Sequence, residues 1–329
     1  MSVVVGRLTG AQPGGGPRRI VASRNRADRF YRRMVTGAGL TTLIILVLIG
    51  LFLVLRSIPA FQLMGTAFFT TTRWSDSLHR FGVAAVLYWT VVISLIALII
   101  AVPTSVAAAL FITQYAPKRA RRGLIALVDL LAAIPSVIYG IWGLAFLTAP
   151  MAGVAAWINE NLGFIPLFTV DRTQYAGSAF IAGVVMSLMV MPICTSVTRE
   201  VFSQTPPGEI EAALALGSTR WGMIRAVVLP FGRGGIIGGA MLGLGRALGE
   251  TIAVALIISP IFFISPHILQ AGANSIAALI ALNFGEATQE FGIPALFAAG
   301  VTLFGVTLIV NFLASLIVAR SRSGKGVEI

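Results

Sequence analysis

The sequence predicts an all-α integral membrane protein with six transmembrane helices and with both termini in the cytoplasm. Three observations predict this fold class. Of 329 residues, 57% are hydrophobic and only 11% are charged, whereas about a quarter of a soluble chain is charged. The apolar residues form six runs long enough to cross the hydrocarbon core of a bilayer. Basic residues gather in alternate loops, as the positive-inside rule requires of cytoplasmic loops.

These runs divide the chain into a tail, a membrane domain and a short end. Residues 1–36 form a basic cytoplasmic tail, whose glycine and proline content predicts disorder. Residues 37–319 form the transmembrane domain, and residues 320–329 form a cytoplasmic C-terminal tail. A further apolar segment, 261–284, is broken by polar residues and proline, which predicts a short helix or re-entrant piece on the outer face. The six predicted spans are 37–55, 83–112, 124–148, 177–198, 234–259 and 293–319.

The net charge of +12 would by itself allow a nucleic-acid partner. Its distribution indicates membrane topology instead, because the basic residues lie in the tail and in short loops beside apolar runs. We therefore expect contact with membrane lipid and none with nucleic acid. The single cysteine, Cys194, lies inside an apolar run, where we expect a packed and inert thiol.

Several of the predicted spans carry an internal proline, namely Pro103, Pro135 and Pro192. Each proline removes one backbone donor and bends its helix. Two interpretations remain open at this point. Prolines are common in membrane helices, and bent helices also suit a pathway that must open alternately to its two sides.

The longest predicted cytoplasmic loop lies within 205–230 and reads as two helices joined by a glycine turn. Thr205 is expected to cap a first helix that begins at Pro206, where the missing N–H of proline costs nothing. Gly217 is expected to end this helix in the left-handed conformation. Ser218 is then expected to cap a second short helix, which ends before Pro230.

Two charges fall inside the fifth predicted span. Arg246 lies about 12 residues, or roughly 18 Å, from the start of that span, which places it near the bilayer centre. Glu250 is expected one helical turn later on the same face. Each charge costs about 2.5–3.5 kcal/mol at this depth. Either the pair neutralises itself against a neighbouring helix, or Arg246 faces a water-filled pathway for an anion, with Glu250 orienting it or gating release.

Arginine suits an oxyanion pathway because its planar guanidinium donates two parallel hydrogen bonds and stays charged. Asp129 is a third charge, near the cytoplasmic end of the third predicted span. We expect it to pair with Arg121 or Arg122, which lie nearby in the sequence.

The sequence indicates that the chain is not an enzyme. A P-loop needs a lysine that follows a glycine-rich turn and precedes Ser or Thr, but the only lysines, Lys118 and Lys325, precede Arg119 and Gly326. No spacing typical of a nucleophile and base or of metal ligands is present, so no cofactor is expected. Any ATP-driven function of the chain would then need a partner subunit.

The loop within 205–230 resembles the signature of the ABC importer permease family. The matching residues are Glu211-Ala212-Ala213, then Gly217, then Leu229-Pro230. The resemblance implies the type I ABC importer permease fold and a loop that docks on a separate ATP-hydrolysing subunit. It assigns this coupling to Glu211, Ala212, Ala213 and Gly217.

Two further segments resemble the phosphate-specific ABC permeases. They are Gly243–Val254, which contains Arg246 and Glu250, and Ala133–Gly140; a weaker third match is Phe69–Trp74. The Thr-Ile-Ala-Val end of Gly243–Val254 is more similar to the PstC-type subunit than to the PstA-type subunit. The resemblance implies phosphate import and places Arg246 and Glu250 in transport, with Thr251 and Ser136 as further substrate contacts.

The same resemblance implies the assembly and its location. The expected partners are two ATP-binding subunits, a homologous second permease subunit and an external phosphate-binding protein, in the bacterial plasma (inner) membrane. One alternative is a permease for another oxyanion, such as sulfate or molybdate. A second alternative is a gradient-driven anion transporter or channel, which would leave the 205–230 loop without a purpose.

Overall fold

The computed structural model describes residues 26–287 and 290–320. Helix α1 begins at Arg26, so the last part of the segment assigned to the tail, 26–36, is helical rather than disordered. The rest of that tail and the end 321–329 lie outside the described residues. The chain divides into two compact units, Met1–Ile49 and Gly50–Ile329. In the first unit, the described residues belong to α1, and its side chains from Arg29 to Ile49 are exposed.

The second unit contains the end of α1 and all other elements, which are almost entirely helical. Two short strands, β1 (Trp74–Ser75) and β2 (Arg80–Phe81), form an antiparallel hairpin in which Trp74 pairs with Phe81. The helices are α1 (Arg26–Met64), α2 (Ala67–Thr70), α3 (Ala84–Leu110), α4 (Lys118–Ala133), α5 (Ser136–Trp142), α6 (Thr148–Leu162), α7 (Ala179–Ser203), α8 (Pro207–Ala215), α9 (Arg220–Met223), α10 (Leu229–Gly249), α11 (Ile252–Ile257), α12 (Ile276–Asn283) and α13 (Gly292–Arg320), with π-helical turns at Phe111–Tyr115, Gly143–Leu147 and Ile224–Val228.

Six helical stretches in the described part of the chain are long and apolar enough to cross a membrane, which confirms the predicted number of spans. The segment 261–284 is not one of them, and its helical part is the short α12. The six stretches are Arg29–Met64, Ala84–Tyr115, Ser136–Leu162, Ala179–Ser203, Arg220–Gly249 and Gly292–Leu316.

The third and fifth spans differ from their predicted bounds, 124–148 and 234–259. The third begins only at Ser136, because Pro135 ends α4 and the backbone turns extended there; the residue before a proline is disfavoured in the helical conformation. The segment before it is the separate helix α4, none of whose residues is buried. The fifth span starts earlier, at Arg220, and ends at Gly249. Pro103 and Pro192 stay inside α3 and α7.

Helix α7 forms the centre of the core, between α3 and α10. Glycines on α10 allow this close approach. A Cβ on Gly235 would lie 2.6 Å from Val201, and one on Gly243 would lie 2.5 Å from Val190. Between them, the thiol of Cys194 donates to the Gly239 carbonyl at 3.1 Å. Cys194 is buried, as its apolar surroundings in the sequence predict.

The two ends of the bundle differ in construction. At one end, which we call the α8 end, the last residues of α3 and α7 meet the start of the fifth span, with Phe202 and Ile224 in a shared apolar cluster. At the other end, the hairpin end, extended segments cover the starts of α3 and α7. There the Trp89 indole donates to the Phe263 carbonyl at 3.0 Å, and the Phe180 amide donates to the Ile268 carbonyl at 3.1 Å.

Candidate substrate site and coupling turn

A break between α10 and α11 positions the charged pair of the fifth span. The helix ends at Gly249, and Glu250 is extended, with φ −69° and ψ 128°. Glycine is a poor helix former, and the hydroxyl of Thr251 donates to the Gly249 carbonyl at 3.2 Å, which helps to close this end. Glu250 is therefore the C-cap residue of α10, one helical turn after Arg246, and the helical path ends with it.

The depth of Arg246 follows from the packing of α10 against α7. Gly243 lies against Val190, which is near the middle of α7. Arg246 comes three residues later, about 4.5 Å further along the axis. The guanidinium therefore belongs to the central part of the bundle.

Arg246 and Glu250 have different surroundings. The Arg246 side chain is exposed, whereas Glu250 retains only 9% of its accessible surface. Among the residues that the structure describes, neither side chain makes a hydrogen bond or ion pair, so the self-neutralised pair is not formed. In the described part of the chain, every buried side-chain oxygen or nitrogen has a hydrogen-bond partner. The Glu250 carboxylate has no such partner there, so its oxygens must lie at the surface of the chain.

The segment Ala133–Gly140 meets the segment Gly243–Val254 at this break. Gly140 on α5 lies directly against α11, where a Cβ would come within 2.8 Å of the Ala253 Cα. Ser136, half-buried, begins α5, and Thr251 precedes α11. The structure thus places Ser136 and Thr251 on two elements in direct contact, although 115 positions separate them in the chain.

Two polar residues near Arg246 are not predicted as site residues by the sequence. The Tyr139 hydroxyl on α5 donates to the Leu131 carbonyl at 2.9 Å and lies within electrostatic range of Arg246. The Asn311 amide oxygen on α13 lies 3.6 Å from where a Cβ on Gly245 would be. A signal for Asn311 was present, namely a polar side chain inside an apolar run.

Asp129 does not pair with Arg121 or Arg122. Its carboxylate accepts a hydrogen bond from the Ser196 hydroxyl on α7 at 3.4 Å. Arg121 instead donates to the carbonyl of Ile112 at 3.0 Å and to that of Thr113. Polar contacts thus connect α4 to α7 and to the π-helical turn after α3.

The loop within 205–230 forms the predicted helix–turn–helix. Helix α8 ends in a Schellman motif, in which the Ser218 amide donates to the Ala213 carbonyl at 3.2 Å and the Gly217 amide donates to the Leu214 carbonyl at 3.0 Å. Gly217 has φ +82°, as predicted. Glu211 and Ala212 are exposed, while Ala213 packs on the cluster that contains Phe202.

Both predicted caps are displaced. Pro206, rather than Thr205, is the N-cap of α8, because the Thr205 hydroxyl donates back to the Phe202 carbonyl at 2.9 Å. At the second helix the Thr219 hydroxyl, rather than that of Ser218, accepts from the Gly222 amide at 3.1 Å.

The second helix does not end before Pro230. It passes through the π-helical turn Ile224–Val228 into α10. Pro230 has no backbone N–H to donate. The π-helical turn just before it keeps the helix continuous, since such turns occur mostly inside α-helices. The stretch Arg220–Gly249 therefore spans 30 residues, about 45 Å at 1.5 Å per residue. It joins the Gly217 turn directly to Arg246.

This fold and site are typical of one class of transport protein. The family model described as "Binding-protein-dependent transport system inner membrane component" matches residues 101–323. The chain belongs to this family, the membrane subunits of ABC importers. It is accordingly a multi-pass protein of the bacterial inner membrane and a component of a transporter.

Curated relatives define the group within the family. The chain is 41% identical over 304 residues to "Phosphate transport system permease protein PstC 2" of Mycobacterium tuberculosis, an alignment covering 91% of this chain and 94% of the relative. It is also 41% identical to "Phosphate transport system permease protein PstC" of Xylella fastidiosa, with 92% and 93% covered. The resemblance to PstC-type permeases is thereby confirmed.

Solved structures show the same fold. A bacterial ABC transporter for the import of the acidic polysaccharide alginate matches with a TM-score of 0.55 and 20% identity, covering 89% of this chain and 98% of that one. The alginate transporter in complex with a pentasaccharide-bound periplasmic protein matches with a TM-score of 0.59 and 20% identity, covering 90% and 97%. These similarities confirm the six-helix importer permease fold.

Proposed function

We propose that the chain is a permease subunit of an ATP-driven phosphate importer and forms half of the translocation pathway. The observation that carries this proposal is the exposed Arg246 guanidinium in the central part of the bundle. An intramembrane charge is costly unless it faces water or a counter-ion, and no described residue pairs with it. The PstC names of relatives at 41% identity support phosphate as the anion.

Arg246 attracts phosphate to the break between α10 and α11. Its planar fork suits two oxygens of a tetrahedral oxyanion. Glu250 follows the break and presents a negative charge, which opposes tight retention of the anion and favours release. The hydroxyls of Thr251 and Ser136 are neutral donors on the adjoining elements, suited to the remaining phosphate oxygens.

The ATP-hydrolysing subunit acts on this chain at α8. Its exposed Glu211 and Ala212 form the surface on which an ATP-hydrolysing subunit docks, while Ala213 anchors the helix to the core. Movement of α8 passes through the Gly217 turn to the helical stretch Arg220–Gly249. Because Arg246 lies in the last turn of that stretch, displacement at the α8 end reaches the substrate site through one continuous helix.

The α8 end faces the cytoplasm in this proposal, and both termini lie on that side. The exposed Lys118, Arg119 and Arg122 at that end support the orientation. The expected assembly contains two ATP-binding subunits, a homologous second permease and an external phosphate-binding protein. The dependence of the family on binding proteins and the complex formed by the alginate transporter support the last of these.

The test replaces Arg246 by glutamine in the complete transporter, reconstituted in proteoliposomes with ATP inside and the loaded phosphate-binding protein outside. Loss of a charge-assisted contact of about 1.5–3 kcal/mol should lower uptake of labelled phosphate tenfold or more. The matched control is Arg233→Gln, since Arg233 is an exposed arginine on the same helix but nearer the α8 end. Normal uptake by Arg246→Gln would refute the role of this arginine.

Two further arms of the same assay test the cargo and the energy source. Unlabelled sulfate or molybdate in large excess should leave phosphate uptake unchanged, and strong competition would point to another oxyanion. Proteoliposomes without ATP should take up no phosphate. Uptake that persists in membranes lacking the ATP-binding subunits would instead support a gradient-driven transporter.

A further inference from the structure

The hairpin end contains a pocket of about 200 Å³ that plays no part in the pathway described above. It lies between the β1–β2 hairpin and the approach to α13. Its lining combines aromatic rings with acidic groups, and the residues that matter here are Trp74, Phe81, Phe262, Asp76, Glu286 and Gly292. None of these lining residues is basic.

The aromatic walls are held by contacts of their own. The Trp74 ring meets Phe81 edge to face, with 5.3 Å between centroids, and Phe81 is fully buried behind it. Phe262 is half-buried and packs on the same apolar cluster. The His79 ring lies 4.9 Å from Phe291, which joins the hairpin to the chain before α13. These contacts between residues of the chain hold the walls of the pocket in place.

Two carboxylates, those of Asp76 and Glu286, are the charged groups in the lining of the pocket, and their surroundings differ. The Asp76 carboxylate lies against the start of α13, where a Cβ on Gly292 would be 2.8 Å from its Oδ2. Glu286 is exposed, and its side chain makes no hydrogen bond or ion pair with the residues that the structure describes. Glu286 therefore offers a carboxylate at the pocket without a protein partner in the described part of the chain.

We propose that this pocket receives a lysine or arginine side chain of the external phosphate-binding protein. A cation over a partly exposed aromatic ring is attracted by the ring quadrupole, and a neighbouring carboxylate adds a charge-assisted hydrogen bond. Trp74, Phe262 and Glu286 supply both kinds of contact at one place. The inference rests on the proposed function, which makes the hairpin end the outer face where the binding protein arrives.

The experiment measures the affinity of the phosphate-loaded binding protein for the complete transporter in lipid nanodiscs. Glu286→Gln should weaken binding about tenfold, and Glu286→Asp should restore most of the affinity. The matched control is Glu160→Gln, because Glu160 is an exposed acid near the end of α6, outside the pocket. Trp74→Leu, which removes an aromatic wall, should weaken binding as well. Basal ATPase activity and melting temperature of each variant verify the fold.

The difference between wild type and Glu286→Gln should shrink at high salt, because screening weakens charge pairing near the surface. Equal affinities of wild type, Glu286→Gln and Trp74→Leu would overturn the pocket proposal while leaving phosphate import intact. Binding of arginine methyl ester to the pocket, with unchanged affinity for the binding protein, would overturn it in favour of a free organic cation. Failure of the wild-type transporter to respond to any phosphate-binding protein would instead contradict the proposed function.

Discussion

The Gly217 turn and the break at Glu250 both interrupt a helix, but they are built in different ways. A Cβ added to Gly217 would meet no atom within 4 Å, so glycine is required there by the positive φ of +82°. At the break, α5 and α11 touch so closely that a Cβ on Gly140 would lie 2.8 Å from the Ala253 Cα. The first interruption involves local backbone conformation alone, whereas the second lies beside a close contact between segments that are distant in the chain.

The difference explains why the two regions suit different tasks. A turn made by its own residues keeps its shape while its surroundings change, as a docking element for a moving partner requires. A break beside a close interhelical contact changes when the packed helices shift, as the proposed alternating pathway requires. A substitution that affects only backbone conformation therefore tests the Gly217 turn, and one that affects only packing tests the break at Glu250.

The largest effect is expected from Gly140→Ala. The added methyl group must displace the α11 backbone, and overpacking of this kind costs about 1–3 kcal/mol. If the close α5–α11 contact must form in each transport cycle, a penalty of about 1.4 kcal/mol on that step lowers ATP-dependent phosphate uptake about tenfold. The control is Gly153→Ala in α6, where an added Cβ meets nothing within 4 Å. Equal uptake by the two variants would show that the α5–α11 contact does not control the pathway.

An intermediate effect is expected from Gly217→Ala. The methyl group has space, but the left-handed backbone costs an L-residue about 1–2 kcal/mol. We expect fewer phosphate ions transported per ATP hydrolysed, measured from uptake and phosphate release in the same proteoliposomes. Gly208→Ala in the first turn of α8 also has open space and has no positive φ, so its coupling ratio should match the wild type. A similar loss in both variants would rule out the backbone explanation.

The smallest effect is expected from Thr219→Ala. Its hydroxyl caps the start of the fifth span, and loss of an N-cap costs about 1 kcal/mol. The melting temperature of the purified transporter should fall slightly, and its ATPase coupling should weaken more than its phosphate binding. Ser218→Ala removes a hydroxyl that donates only to the Thr219 carbonyl and should have less effect. A larger effect of Ser218→Ala than of Thr219→Ala would instead identify Ser218 as the N-cap, as the sequence predicts.

Much of the site was predictable because its parts have local signatures. Glu211, Ala212, Ala213 and Gly217 form one turn of helix and its stop, and the Schellman hydrogen bonds follow from the glycine. Arg246 was identifiable as a charge within an apolar run. Tyr139 was not, because a tyrosine in a membrane helix is unremarkable until its hydroxyl is seen to bond to Leu131 within range of Arg246.

The sequence by itself determined the membrane class, the number of spans and the left-handed turn at Gly217. These depend on composition, run length and single-residue backbone preference, which are all local. The tertiary structure decided the bounds of the third and fifth spans, the end of α10 immediately before Glu250, and the meeting of α5 with α11. Those features depend on which segments pack together, and packing energy is shared between residues that are distant in the chain.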